Sequence, residues 1–70
     1  MNEGFVARGI YIVVTGTEGT TASINTNNIT LIRDRPDGES LIEFVGGGSF
    51  YAKESRIKIT SMICRAINDD

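Results

Sequence analysis

The residues of this sequence that could bind an anion are a glycine run and four basic side chains. The run Gly46-Gly47-Gly48-Ser49 could point backbone N–H groups at a phosphate, as anion-binding nests do. It lacks the lysine and the strand-to-helix position of a P-loop, which favours a turn between two strands. The basic side chains that could complete a site for a small anionic ligand, such as a nucleotide held between subunits, are Arg33, Arg35, Lys53 and Arg56.

Catalytic chemistry is poorly supported by the remaining ionisable residues. The sequence contains no histidine, which removes the commonest general base and metal ligand. The single cysteine, Cys64, cannot form an internal disulfide, and its helical context predicts a packing residue because no histidine is present to activate it. No paired acids can be recognised among the carboxylates at Glu18, Asp34, Asp37, Glu39, Glu43 and Glu54. We therefore predict a protein that is not an enzyme and that uses no metal or other cofactor.

The chain is organised as a series of short apolar segments separated by turn residues. These segments predict β-strands near residues 5–15, 20–25, 29–34 and 40–45, with 49–53 as a fifth. Pro36 presets φ, Asp37 can bond its own backbone and Gly38 accepts a positive φ, so a tight turn is expected between the third and fourth strands. Consecutive strands joined in this way form an antiparallel meander.

After Ser55 the apolar period changes from that of a strand to that of a helix. Apolar residues with helical spacing are Ile59, Met62, Ile63, Ala66 and Ile67. We expect an amphipathic helix near 56–67, capped by Ser55, with this apolar face on the sheet. The alternative is that the alternation through residues 56–60 extends the strand and the helix begins near Thr60. The predicted fold class is α+β, a small antiparallel sheet of four to five strands with one C-terminal helix. A single domain is expected over residues 1–70, frayed at 1–4 and 68–70.

The first strand is apolar on both of its faces. Ile10, Ile12 and Val14 lie on one side, whereas Tyr11 and Val13 lie on the other. One helix can cover only one face of a sheet, and a chain of 70 residues buries only about 60% of its unfolded surface. We therefore predict a homo-oligomer, most simply a two-fold dimer, whose interface comes from residues 10–14. The alternative is that residues 5–9 form a loose arm and only 10–15 pair.

The predicted cellular location and the net charge of the chain limit the kinds of partner that we expect. Residues 1–4 lack the positive region of a signal peptide, and the apolar run 10–14 is too short to cross a bilayer. We predict a cytoplasmic protein without a membrane span. Seven basic residues against nine acidic ones give a net charge of −2, which disfavours sequence-independent nucleic-acid binding without excluding a local basic patch.

Several short motifs are similar to those of one family of small proteins. They are Val13-Val14-Thr15, Gly19, Ile24-Asn25, Asn28-Ile29, Pro36-Asp37, Leu41-Ile42-Glu43-Phe44 and Lys53-Glu54-Ser55. Over roughly residues 10–67 the chain resembles the FlbD/SwrD-like family of flagellar-associated proteins. It departs from that pattern in its first nine residues, its three consecutive glycines and its less acidic helix. The resemblance implies an antiparallel sheet with a C-terminal helix and a flagellar association, although proteins of phages and prophages can share such a scaffold.

Three functional hypotheses follow from these observations. The leading one is a small non-enzymatic binding module that self-associates and acts through a protein partner. The second is a protein that sequesters a small anionic ligand between its subunits, using residues 46–49 with Arg33, Arg35, Lys53 or Arg56. The third is nucleic-acid binding through the same basic residues. The order and spacing of the strands also loosely resemble those of the DNA-binding domain of LytTR response regulators.

Overall fold

The computed structural model describes residues 9–68, which form five strands and one helix. The elements are β1 Tyr11–Thr15, β2 Thr21–Asn25, β3 Ile29–Asp34, β4 Ser40–Phe44, β5 Ser49–Ala52 and α1 Arg56–Asn68. A single 3₁₀ turn, Thr26–Asn28, joins β2 to β3. The predicted α+β class is confirmed, with antiparallel strands followed by one C-terminal helix. Residues 5–8 of the predicted first strand, or of the alternative arm 5–9, lie outside the described residues. Gly9 and Ile10 are not in a strand, and β1 begins at Tyr11.

The strands form two antiparallel sheets instead of one continuous meander. β1 pairs with β2, and β3, β4 and β5 pair in that order. The sheets meet through an isolated bridge between Gly16 and Ala52 at the end of β1. Pairing of β1 with β5 goes no further because the Thr15 N–H donates to the Glu54 carboxylate, at 2.9 and 3.1 Å from its two oxygens, instead of to a strand.

The turn between β3 and β4 has the predicted chemistry. The Gly38 N–H donates to the Arg35 carbonyl at 3.0 Å, and Gly38 has a φ of 90°. The Asp37 carboxylate accepts a hydrogen bond from the Glu39 N–H at 3.0 Å. This local closure fixes the register in which Ile32 faces Ile42 across the two strands.

The core lies between the two sheets and the helix. Its buried apolar residues are Ile12, Val14, Ile24, Ile42, Ala52 and Ile59. Ser40 is the buried polar side chain among the described residues, and its Oγ donates to the Glu54 carbonyl at 2.8 Å. A buried hydroxyl with its hydrogen bond made avoids the desolvation penalty that would otherwise oppose folding.

The helix begins at the predicted cap but orients fewer residues inward than predicted. The Ser55 Oγ accepts the Lys58 N–H at 3.2 Å, as a helix N-cap does. Ile59 is fully buried, whereas Ile67 is 54% exposed and Cys64 is exposed. The prediction that Ile67 and Cys64 pack inward is wrong. Within α1 the packed face consists of buried Ile59 with the partly buried Met62, Ile63 and Ala66.

Ile59→Ala should lower the free energy of unfolding by about 2–5 kcal/mol, because it removes three carbons from a fully buried position. Ile67→Ala on the same helix is the control and should cost less than about 1 kcal/mol. Urea unfolding of both variants measures the difference. Equal losses would show that the packed face of α1 has been assigned incorrectly.

Candidate functional site

β1 presents two apolar side chains to solvent. Tyr11 is 52% and Val13 is 57% exposed, whereas Ile12 and Val14 belong to the core. Ile10, the remaining member of the predicted interface, is half-buried just before the strand. The structure therefore brings only Tyr11 and Val13 of this set to an accessible outer face.

The backbone of β1 also alternates between its two edges. The Thr26 N–H donates to the Ile10 carbonyl at 2.8 Å, and the Gly16 N–H donates to the Thr20 carbonyl at 2.6 Å. Even-numbered residues of β1 therefore direct their N–H and C=O groups towards β2. In an antiparallel pair the alternate residues direct theirs away from the partner strand. Tyr11, Val13 and Thr15 consequently line the other edge of β1.

That second edge is occupied at one end and open at the other. The Thr15 N–H binds the Glu54 carboxylate, and the Thr15 carbonyl accepts the Lys53 N–H at 2.7 Å. Within residues 9–68, the outward backbone groups of Tyr11 and Val13 make no hydrogen bond. We call these two residues, with their open backbone groups and exposed side chains, the open edge of β1.

A second accessible surface is the outer face of β3, β4 and β5. Arg33 lies opposite Leu41, which lies opposite Tyr51, so these side chains form a row across the three strands. The Arg35 guanidinium carbon lies 4.6 Å from the centre of the Tyr51 ring, within cation–π range. Tyr51 is 45% and the nearby Leu31 38% exposed. This mixed surface, the outer row, combines the aromatic and arginine side chains that often dominate protein interfaces.

The residues predicted to bind an anionic ligand do not meet in one place. Gly46, Gly47 and Gly48 form the turn after β4, and Ser49 begins β5 at the same end. Arg35 and Lys53 lie at the opposite end of β4, a five-residue strand about 17 Å long. Two separate regions result.

The glycine turn uses its own backbone groups. The Gly47 N–H donates to the Phe44 carbonyl at 3.0 Å, and the Phe44 N–H donates to the Gly48 carbonyl at 2.9 Å. Gly46 and Gly47 have φ values of 94° and 104°, which side chains other than glycine rarely adopt. Hairpin geometry therefore explains these glycines, as the sequence favoured.

Acidic side chains lie near the basic residues around the β3–β4 turn. Arg56 Nε lies 2.9 Å from Asp34 Oδ2. The hydrogen bond from the Glu39 backbone is the main cause that lowers the pKa of Asp37, and the Arg35 charge lowers it further. Partial desolvation, followed by the neighbouring Asp37, raises the pKa of Glu39.

Acidic side chains thus accompany the basic residues of this region, which weakens its attraction for polyanions. The cations are Arg33, Arg35, Lys53 and Arg56, and the carboxylates are Asp34, Asp37 and Glu39.

A small surface pocket, which the sequence did not indicate, lies between the β1–β2 turn and β5. It has a volume of about 210 Å³ and is lined by Gly16, Thr17, Glu18, Ser49, Phe50 and Tyr51. Its two sides are joined by a hydrogen bond from the Thr17 N–H to the Tyr51 carbonyl at 3.1 Å. Glu18 is its only carboxylate, so the pocket offers no acid pair for general acid–base chemistry.

Comparison of the chain with models of known protein families, with curated proteins and with solved structures finds no match. Across residues 9–68, no helix has the length and apolar character needed to cross a membrane. The geometry of the open edge and of the outer row is therefore the basis for assigning a function.

Glu54 predicts how stability depends on pH. Burial alone would raise its pKa, but hydrogen bonds, chiefly from the Thr15 backbone, lower it below the ordinary value of 4.5. The charged carboxylate therefore makes its full contribution to the stability of the fold at pH values well above 4.5. That contribution is lost as the pH falls below 4.5 through the folded-state pKa.

Glu54→Gln should lower the free energy of unfolding by about 1–2 kcal/mol at pH 7. The loss is modest because solvent partly screens the charge. The stability gap between wild type and variant should close as the pH falls towards 3. Urea unfolding from pH 7 to pH 3 measures this gap. Glu18→Gln, at an exposed turn position, is the matched control. A gap that stays constant with pH would contradict the role of the Glu54 charge.

Proposed function

We propose that this protein is a small non-enzymatic binding module that self-associates and acts by engaging a protein partner. The observation that carries the proposal is the exposure of Tyr11 and Val13 beside the buried Ile12 and Val14 of the same strand. Contiguous exposed apolar side chains on soluble proteins often mark an interaction site. Burial of such a site between copies also adds to the limited core of a small domain.

The outer row is the surface that we assign to the protein partner. Tyr51 is stacked with Arg35, and Arg33 and Leu41 continue the surface across β3 and β4. Tyrosine and arginine provide apolar contact and directional hydrogen bonds in the same side chain, which suits recognition of another protein. Nearby carboxylates offset the positive charge, which favours a protein partner over a nucleotide or a nucleic acid.

The motif resemblance supports a flagellar association for this partner, with a phage or prophage setting as the alternative. Genomic neighbourhood separates the two. Location beside flagellar genes supports the first, and location within a prophage supports an inhibitor or sequestering role. Neither setting requires a catalytic site.

Tyr11→Asp or Val13→Asp should weaken self-association at least about tenfold, because a charge would be desolvated in an apolar contact. Light scattering over a range of protein concentrations measures the mass, and the wild-type melting temperature should rise with concentration. Val45→Asp is the matched control, since Val45 is 65% exposed and belongs to the β4–β5 turn, outside β1. A wild-type monomer with a concentration-independent melting temperature would refute self-association.

Tyr51→Asp should abolish partner binding while leaving the self-associated mass unchanged, because Tyr51 lies on the outer row and not on β1. Once a candidate partner is known from genomic neighbourhood, calorimetric titration with Tyr51→Asp and Val45→Asp tests this separation. Equal affinity of both variants for the partner would exclude the outer row as its binding surface.

A further inference from the structure

We infer that β1 pairs edge to edge with β1 of a second copy, so that two hairpins form one four-stranded sheet. This inference rests on the self-association proposed above and specifies which backbone groups meet. It is carried by the coincidence, on Tyr11 and Val13, of open backbone groups and exposed apolar side chains. Paired strands would satisfy the backbone groups and bring the exposed side chains of the two copies into lateral contact on one face of the sheet.

Two of the other strand edges, those of β2 and β3, have features that discourage such pairing. The outer edge of β2 is lined by Thr21, Ser23 and Asn25, which are polar. The free edge of β3 is interrupted by a register shift between Ile29 and Leu31. Bulges and polar or charged side chains are the usual means by which proteins protect sheet edges. The open edge of β1 has neither a bulge nor a charge.

Backbone alternation restricts the register of the pair. Only odd-numbered residues of β1 direct their N–H and C=O groups to this edge, so the hydrogen-bonded pairs must join odd residues. A two-fold axis beside Ile12 places Tyr11 opposite the partner's Val13, and this pair occurs twice. Each pair exchanges two backbone hydrogen bonds. The exposed face then carries two aromatic–β-branched pairs, a favourable cross-strand combination.

The same geometry limits the length of the contact. Thr15 is already bonded to Glu54 and Lys53, so it cannot add another strand. In this register Gly9 of the second copy falls opposite Thr15, where Lys53 and Glu54 already lie. The second chain must therefore turn away from β1 at Gly9, and the pairing spans residues 11–13 of each copy. Residues 10–14 are uncharged, so two acidic copies meet without direct repulsion at the contact. A second copy of this chain is therefore the occupant that fits the open edge.

Cysteine cross-linking tests the register directly. In a Cys64→Ser background, Tyr11→Cys and Val13→Cys chains carry tags of different mass and are mixed under mild oxidation. Hydrogen-bonded antiparallel pairs have Cα atoms about 5.5 Å apart, within the range for a disulfide. The mixture should give about tenfold more disulfide-linked heterodimer than either variant gives homodimer alone. A Tyr11→Cys and Val45→Cys mixture is the control and should show no such enrichment.

The outcomes separate this inference from the proposed self-association. Dimeric mass without enriched Tyr11–Val13 cross-linking overturns edge pairing and leaves side-chain packing as the mode of association. Monomeric mass overturns both proposals. Hydrogen exchange on the unmodified chain provides a second measurement. The Tyr11 and Val13 amides should become protected as concentration rises, and fast exchange in a confirmed dimer would also overturn edge pairing.

Discussion

The contact between the Glu54 carboxylate and the Thr15 amide determines how the parts of this small domain fit together. Both carboxylate oxygens accept the Thr15 N–H, and the preceding Lys53 N–H donates to the Thr15 carbonyl. The Glu54 carbonyl accepts the hydroxyl of buried Ser40, and the next residue, Ser55, caps the helix. Three consecutive residues thus join the first hairpin, the second sheet and α1. They also set the point at which β1 stops pairing with the rest of the protein.

The elements of the fold were predictable because their signals are local. Alternating apolar residues, the Pro36-Asp37-Gly38 turn and the helical spacing after Ser55 place β2 to β5 and the helix within about one residue of their observed bounds. For β1 only the end at Thr15 was placed correctly, because Gly9 and Ile10 precede the strand. The division into two sheets was not predictable, since it depends on a side chain that is far from Thr15 in sequence. Glu54 had only a local interpretation, as a favourable charge beside a helix N-terminus.

In the candidate site, too, local sequence patterns predicted some features, whereas contacts between distant residues could not be predicted. Alternation identified Tyr11 and Val13 as one side of β1, but only the hydrogen-bond pattern reveals which backbone groups share that edge. The glycine turn and the basic residues were grouped as one anion site from their chemistry alone. In the fold, β4 separates the glycine turn from Arg35 and Lys53, and local carboxylates surround the cations. Charge pattern alone could not reveal these acid partners.

The 39-residue separation between Thr15 and Glu54 also bears on the order of folding. Each hairpin closes a loop of only a few residues, whereas this contact closes most of the described chain, so its loop-closure entropy is larger. A 13-residue helix is marginal in water without the sheet on which it packs. The hairpins can therefore form early, and helix docking coincides with closure of the Glu54 contact. We expect this junction to close late in folding, and interactions made after the transition state chiefly control the rate of unfolding. On that order of events the junction would set the lifetime of the folded chain.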